Sequence, residues 1–251
     1  KTSNLFEKEY REAINKDFKH IYSLSASNSN VDRDYYIDFL KKINLDFKIL
    51  YHHKSIRSDS SQLIIEVNEA LIDYQKLKQI VKSKISESKN INLKLSTKFT
   101  KDLIDHYDCV INCGYGLSNE ILPESLVRNY RYQLLEKIVV KPPESLKDLS
   151  LVVVDGPFMC IDPIPNTEFS ILGNVKLAIL DKYNGSKPFQ KKYSKLEPWK
   201  DITNEKNSRF KNFIEHGQNF INEFDKCSFE YSMVGYRVVL QNVESTDERL
   251  T

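Results

Sequence analysis

The chain has 251 residues, of which 40% are hydrophobic and 29% are charged, a composition typical of a folded globular protein. Its 37 Lys and Arg residues nearly balance its 35 Asp and Glu residues, and the resulting formal charge of +2 argues against nucleic acid or a membrane surface as a partner. No apolar run approaches the ~18 residues that a membrane span needs.

The first half of the sequence alternates helical and extended patterns. Residues 7–20 are weakly amphipathic and predict a helix. Asp32 is placed to cap a second helix, because apolar residues recur at helical spacing after it. A third helix begins at Asp73 and ends at Asn90, with apolar residues on one face and lysines mainly on the others. Strands are predicted at residues 47–51, 63–67 and 91–95.

The second half is richer in strand patterns. Residues 107–116 predict an apolar strand that runs into a glycine turn. Residues 184–207 are polar and predict a surface excursion, and residues 210–224 predict an amphipathic helix. Further strands are predicted at residues 132–140, 151–154, 159–161, 169–172, 175–180 and 233–241.

This order of elements predicts an α+β fold with one large mixed sheet, mostly antiparallel, and flanking helices. Alternating βαβ units around a parallel sheet would give a different pattern. We expect two domains, residues 1–125 and residues 126–251.

The cysteines and histidines suggest neither disulfides nor a metal centre. Four cysteines are too few for a disulfide framework, so we expect a cytoplasmic protein with reduced, buried thiols. Cys109 and Cys113 lie four residues apart on a predicted strand, which separates them by about 13 Å, too far for one bridge or one metal ion. The five histidines show no ligand spacing, and we predict no metal site.

No phosphate-binding motif is present in the sequence. The seven glycines include no G-x-G-x-x-G after an opening strand and no G-x-x-x-x-G-K-[ST]. The turn that follows residue 111 is more informative, because Gly114 and Gly116 have no side chains and would let the main chain approach a ligand closely. An ordinary tight turn after a core strand is the alternative interpretation.

Three segments resemble the D-amino-acid oxidase family of flavoproteins. Residues 108–116, Asp-Cys-Val-Ile-Asn-Cys-Gly-Tyr-Gly, are similar to the family's D-x-V-I-N-C-T-G strand. Residues 152–175 contain Val-Asp-Gly-Pro-Phe, then two prolines and Leu-Gly-Asn, and resemble the family's hairpin that folds over the flavin. Gly235-Tyr236-Arg237, leading to residues 244–249, resembles the segment that returns towards the cofactor. The three occur in family order.

The resemblance implies FAD as cofactor and assigns residues to two sides of a site. Phe158 and Arg237 would face a small-molecule substrate, since an arginine fork can pair with a carboxylate through two hydrogen bonds. A surface ion pair for Arg237 and core packing for Phe158 remain open alternatives. Hydroxyl groups of Tyr130, Tyr132 and Tyr231 could reach a pocket or be structural. The flavin side would be lined by Asn112, Cys113, Gly114 and Gly116.

The sequence departs from the family pattern in two places. Gly114-Tyr115-Gly116 replaces the usual Thr-Gly, and the N-terminal strand, glycine loop and helix are absent. That loop normally binds the cofactor's pyrophosphate through main-chain N–H groups. We therefore expect a fragment of an FAD-dependent oxidoreductase that oxidises an amino acid, amine or hydroxy acid by hydride transfer, inactive on its own. No catalytic residue is indicated, and the oligomeric state is left open.

Two other functions remain open at this stage. The first is a non-catalytic α+β binding or interaction module that binds no flavin. The second is a glycan- or nucleotide-processing enzyme with an unfamiliar site.

Overall fold

The structure, a computed structural model, describes residues 2–156, 158–187, 201–202 and 205–240. The chain divides into two compact units, each assembled from three separate segments. Unit 1 contains Lys1–Leu93, Ile138–Asn174 and Phe210–Glu230, and unit 2 contains Lys94–Lys137, Val175–Arg209 and Tyr231–Thr251. The division into residues 1–125 and 126–251 stays a prediction.

Two of the helices begin where the sequence predicts them. Asp32 and Asp73 are the N-caps of the second and third helices, and their carboxylates accept hydrogen bonds from the main-chain N–H groups of Tyr35 (2.8 Å) and Lys76 (2.9 Å). The α-helices are α1 (Thr2–Glu9), α2 (Arg33–Lys42), α3 (Tyr74–Glu87) and α4 (Phe210–Gly217).

The helices predicted over residues 7–20 and 210–224 are wrong in extent. The first ends at Glu9, and from Lys19 onwards the chain pairs with strands on both sides, so sheet pairing overrides the weak helical pattern. The second ends at Gly217, whose Cα lies so close to the ring of Phe224 that a Cβ would be 2.2 Å from that ring. The chain turns there instead of continuing as a helix.

Unit 1 is built on a sheet in the order β3-β4-β2-β7-β8-β9, followed by the end of β6. The only parallel pairing in this described sheet joins β2 to β7, and the other pairs are antiparallel. A separate two-stranded sheet pairs β1 with β5. The ranges are β1 (Ile14–Asn15), β2 (Lys19–Ser25), β3 (Phe47–Leu50), β4 (Ser61–Val67), β5 (Leu71–Ile72), β6 (Tyr130–Lys141), β7 (Leu149–Val154), β8 (Met159–Pro163) and β9 (Ser170–Gly173).

The hydrophobic core of unit 1 explains why α2 lies against this sheet. Alternate residues of a strand share a face, so Leu63, Ile65 and Val67 of β4 point to one side. Ile37 and Leu40 of α2 cover them and are themselves buried. Burying a side chain of this size stabilises the fold by about 1.5–3 kcal/mol.

Unit 2 contains the first part of β6, together with β10 (Ile179–Gly185), β11 (Asp201–Ile202) and most of β12 (Ser228–Leu240). β10 pairs antiparallel with β6, from Gly185 opposite Tyr130 to Ile179 opposite Leu135. β12 lies between β6 and β11. The strand predicted at residues 175–180 is therefore displaced, because β10 begins only at Ile179.

The strands predicted at residues 91–95 and 107–116 are wrong. Residues 88–129, all of which are described, contain no α-helix or β-strand and only short 3₁₀ turns at Lys101–His106, Tyr115–Glu120 and Glu124–Leu126. A strand exists only where its main-chain groups find a neighbour to pair with. The structure provides no such neighbour for these two segments among the described residues.

The cysteines divide into two pairs. Cys109 and Cys113 are exposed, so the prediction that they are buried core thiols is wrong; they lie in the segment that forms no strand. Cys160 and Cys227 are buried, which confirms the prediction for those two. Burial raises the pKa of the Cys227 thiol to about 12, with a smaller contribution from Asp225.

The predicted fold class is confirmed: a mixed, mostly antiparallel sheet with a few flanking helices. Most of the polar stretch at residues 184–207, together with Pro157 and residues 244–249, lies outside the described residues. Within the described ranges, no helix has the length and apolar character needed to cross a membrane.

Candidate functional site

The Asn112–Gly116 turn lies in unit 2 and is shaped by its own asparagine. Asn112 Oδ1 accepts a hydrogen bond from the N–H of Gly114 at 3.0 Å, and Asn112 Nδ2 donates to the carbonyl of Ser118 at 2.9 Å. This is the local bonding that makes asparagine common in turns. Tyr115 follows with φ of +46°, in the left-handed region. Asn112 therefore fixes the shape of the turn.

Gly116 allows the turn to lie directly against β6 and β12. A Cβ on Gly116 would be 3.1 Å from Val238 Cγ2 and 3.7 Å from the ring of Tyr132. The Tyr132 hydroxyl donates to the carbonyl of Gly116 at 3.2 Å, and the hydroxyl of Tyr115 accepts from the N–H of Val238 at 2.9 Å. The sequence predicted that the main chain would come close to a ligand at this turn. In the structure, Gly116 comes close to protein atoms of unit 2.

The side chain of Tyr132 packs against this turn. Its side chain is fully buried, its ring stacks on Tyr183 at a centroid distance of 6.3 Å, and Tyr130 meets it edge-on. Burial raises the pKa of the Tyr132 hydroxyl, and the neighbouring Tyr130 and Tyr183 add to the effect. The hydroxyl is therefore a stable proton donor to Gly116.

Arg237 is held by a buried glutamine. Its Nε donates to Gln133 Oε1 at 2.6 Å, and Gln133 has no exposed surface. Because successive strand residues point to opposite faces, Arg237 and Gln133 lie on the other face of β12 and β6 from Val238 and Tyr132. The predicted arginine and the predicted glycine turn thus occupy the same unit but opposite faces of these strands.

Sequence reasoning missed several polar residues that organise unit 2. Buried Asn119 donates through Nδ2 to the carbonyls of Arg128 (2.7 Å) and Ser186 (2.8 Å). Glu136 is fully buried, and its Oε2 accepts from the N–H of Arg209 at 3.0 Å. A usable signal existed for Glu136 and Gln133, because polar residues inside an otherwise apolar strand pattern indicate buried hydrogen bonding.

Phe158 lies in unit 1, between β7 and β8. Its φ is +31°, unusual for a bulky residue, and its carbonyl accepts a hydrogen bond from Asn174 Nδ2 at 2.9 Å. Its side chain is half-buried. Cys113, by contrast, belongs to unit 2 and is exposed beside Asn112.

The residues of unit 2 fit a flavin only in part. Cys113 and Gly114 of the turn are both exposed. The described residues contain no α-helix that starts directly after a glycine, although all seven glycines of the sequence are described, so they offer no α-helix N-terminus of that kind to a pyrophosphate. The short 3₁₀ turn Tyr115–Glu120 follows Gly114. The described part of the chain also contains no group of three metal-ligating side chains.

Comparison with known proteins identifies the class of fold. No protein-family model matches the sequence, and no curated protein matches it. The α+β architecture is shared with solved structures of oxidoreductases, which confirms the fold expected from the sequence resemblance.

Two of these structures are similar over nearly the whole chain. Glycine oxidase from Geobacillus kaustophilus has a TM-score of 0.66 and 11% sequence identity, with 98% of this chain and 68% of that chain covered. L-proline dehydrogenase from P. horikoshii has a TM-score of 0.62 and 10% identity, with the same coverage of 98% and 68%. At 10–11% sequence identity, these similarities show a shared fold and no more than that.

Proposed function

We propose that this chain is the substrate-side part of an FAD-dependent oxidoreductase that acts on a small amine- or hydroxyl-bearing carboxylic acid. The observation that carries the proposal is the match of 98% of the chain to two structures named as amino-acid oxidoreductases. The three sequence segments that resemble the D-amino-acid oxidase family point to the same chemistry.

Arg237 is the residue proposed to bind the substrate. Its guanidinium is oriented through Nε by Gln133, whose burial leaves it little freedom to move. A planar guanidinium held in one orientation is suited to pair with a carboxylate, and fixing it in advance lowers the entropy lost on binding. Gln133 is in this proposal a positioning residue, which acts through Arg237.

The turn at Asn112–Gly116 is proposed as a flavin contact separate from Arg237, because the two lie on opposite faces of β6 and β12. Asn112 holds the turn in shape, and Gly114 is exposed. The substrate-side role expected for Phe158 stays a prediction. The flavin, when bound, would supply the hydride acceptor, and the protein would bind the substrate, orient it and exclude water.

The pyrophosphate of FAD requires a partner outside the described residues. We therefore propose that the 251-residue chain alone binds FAD weakly or not at all. The test is equilibrium dialysis of the purified chain against FAD, followed by its absorption spectrum. Stoichiometric flavin retained by this chain alone would refute the proposal that its phosphate site is incomplete.

The activity itself is tested with the protein expressed from the whole coding region of the gene. We expect a yellow protein that reduces an electron-accepting dye when given amino acids, secondary amines or hydroxy acids. Arg237→Lys should raise KM for the best substrate by about tenfold to a hundredfold, since a bidentate hydrogen-bonded ion pair is lost. Arg128→Lys, a change at an exposed arginine of the same unit, is the matched control and should leave KM unchanged.

A non-catalytic binding module is the second candidate. It is favoured by one observation, the lack of a glycine loop before any α-helix of the described chain. A colourless full-length protein with no dye reduction would support this candidate and exclude the oxidoreductase.

A further inference from the structure

Strand β3 leaves one edge of the sheet in unit 1 open. It pairs antiparallel with β4 on one side, and no described strand pairs with it on the other. The N–H of Asn68 donates to the carbonyl of Asp46, the residue opposite it, and hydrogen-bonded pairs alternate along an antiparallel ladder from that point. The main-chain N–H and C=O groups of Phe47 and Ile49 therefore point to the open edge. Such an edge is a template for pairing with another strand.

A groove of about 730 Å³ lies between this edge and helix α2. Its apolar residues are Ile37, which is buried, Phe47, which packs against the core of unit 1, and Ile49, which is 39% exposed. Apolar residues beside charged ones are typical of the centre and rim of a protein interface. The charged residues that line the groove all belong to α2, and they are Asp34, Asp38 and Lys41.

The charges on α2 are complementary to those of a second copy of the same helix. Asp34 lies in the first turn of α2 and Lys41 in the last. Two helices related by a two-fold axis perpendicular to them run antiparallel, so the acidic start of one lies beside the basic end of the other. Asp38, between the two, is balanced by Lys41 of its own chain at 3.7 Å. The charge pattern therefore favours a second copy of this chain as the occupant of the groove.

We propose that β3 forms the interface of a two-fold symmetric dimer, in which it pairs antiparallel with β3 of a second copy. When Ile49 lies opposite Ile49 of the second copy, the outward main-chain groups of the two strands meet, because every second residue on each strand points outward. Asp34 of each copy then lies beside Lys41 of the other. The pairing closes at two copies, since a two-fold interface uses the same surface on both. The dimer involves unit 1 and does not depend on flavin.

Proline at position 49 tests the edge pairing without disturbing the strand. Because the N–H of Ile49 points to the open edge, Ile49→Pro removes a donor that β4 does not use. The protein expressed from the whole coding region should be a dimer by analytical ultracentrifugation, and Ile49→Pro should raise its dissociation constant by about tenfold or more. Thermal unfolding followed by circular dichroism should show that the variant is still folded.

A charge exchange on α2 tests which residues face each other. Asp34→Lys should raise the dissociation constant of the dimer by about tenfold, because it places like charges beside Lys41 of the second copy. Adding Lys41→Asp restores opposite charges and should return the constant to within about threefold of the unsubstituted value. Tyr35→Lys, at a 63% exposed residue of α2 outside the groove, is the matched control and should leave the constant unchanged.

Three results would overturn the proposal. They are a monomer at a protein concentration of about 100 μM, a dimer that Ile49→Pro leaves unchanged, and a double charge variant that dimerises no better than Asp34→Lys alone. Assemblies that grow beyond two copies with concentration would contradict it as well, because they require an interface that does not close.

Discussion

Replacing Gly156 with alanine should be the most damaging small substitution in unit 1. Gly156 follows β7 and has φ of +151°, a conformation that residues with a Cβ rarely adopt. A Cβ at this position would lie 1.9 Å from the carbonyl oxygen of Asn28 and 2.7 Å from its carbonyl carbon. The clash is with main chain, and Asn30 N–H already bonds to the carbonyl of Asp155 at 3.2 Å, so the two loops are not free to separate.

The expected magnitude follows from two effects. Forcing a non-glycine residue into such a backbone conformation costs about 1–3 kcal/mol. Overpacking against a fixed neighbour costs about 1–3 kcal/mol more. We therefore expect Gly156→Ala to lower the free energy of unfolding by about 4 kcal/mol, which at a typical urea m-value of about 2 kcal/mol/M moves the midpoint down by about 2 M.

The assay is urea unfolding followed by far-ultraviolet circular dichroism, with Gly114→Ala as the matched control. A Cβ on Gly114 would lie 3.1 Å from the side-chain oxygen of Asn112 and at ordinary contact distance, 3.4–3.5 Å, from main-chain atoms of Ser118 and Leu117, so the loss should stay below about 1 kcal/mol. A free energy of unfolding for Gly156→Ala within about 0.5 kcal/mol of that of the unsubstituted chain would refute the reasoning, because it would mean that the loop at Asn28 moves away freely.

Two further predictions concern the core and the pH dependence of stability. Phe213→Ala removes a fully buried ring of α4 and should lower the free energy of unfolding by about 3–5 kcal/mol in thermal melts, whereas Leu5→Ala at an exposed site should change it by less than about 0.5 kcal/mol. Burial lowers the pKa of His20, an effect that outweighs the carboxylates of Glu69 and Asp162, which raise it. Stability should therefore fall as the pH drops below about 6.5, where His20 protonates in the unfolded state but not yet in the folded one, and His20→Gln should flatten this fall in urea titrations between pH 8 and pH 5. An equally steep fall in the substituted protein would assign the effect to other groups.

The sequence predicted well those elements whose signals are local. Asp32 and Asp73 cap helices because a carboxylate followed by an amphipathic run is sufficient to start one, whatever lies around it. The strands β4 and β7 were also predicted from runs of β-branched residues. Local rules succeed where the stabilising partner is a few residues away in the sequence. They also succeed where any apolar surface can serve as the partner.

Prediction failed where the partner is remote. Residues 107–116 have a strand-like sequence, but whether they form a strand depends on a neighbouring chain segment that local patterns do not reveal. The pairing of Arg237 with Gln133 joins residues 104 positions apart, and no spacing rule connects them. Cys109 and Cys113 lie in this same segment, and their exposure accompanies its lack of strand pairing.

The shared fold and the proposed cofactor site have different physical requirements. A mixed sheet with α2 packed on it needs only apolar residues at alternating positions, which many sequences satisfy, and this explains how the fold persists at 10–11% identity. Binding a pyrophosphate needs main-chain N–H groups directed at one point. A strand pattern of alternating apolar residues does not provide such a group of donors.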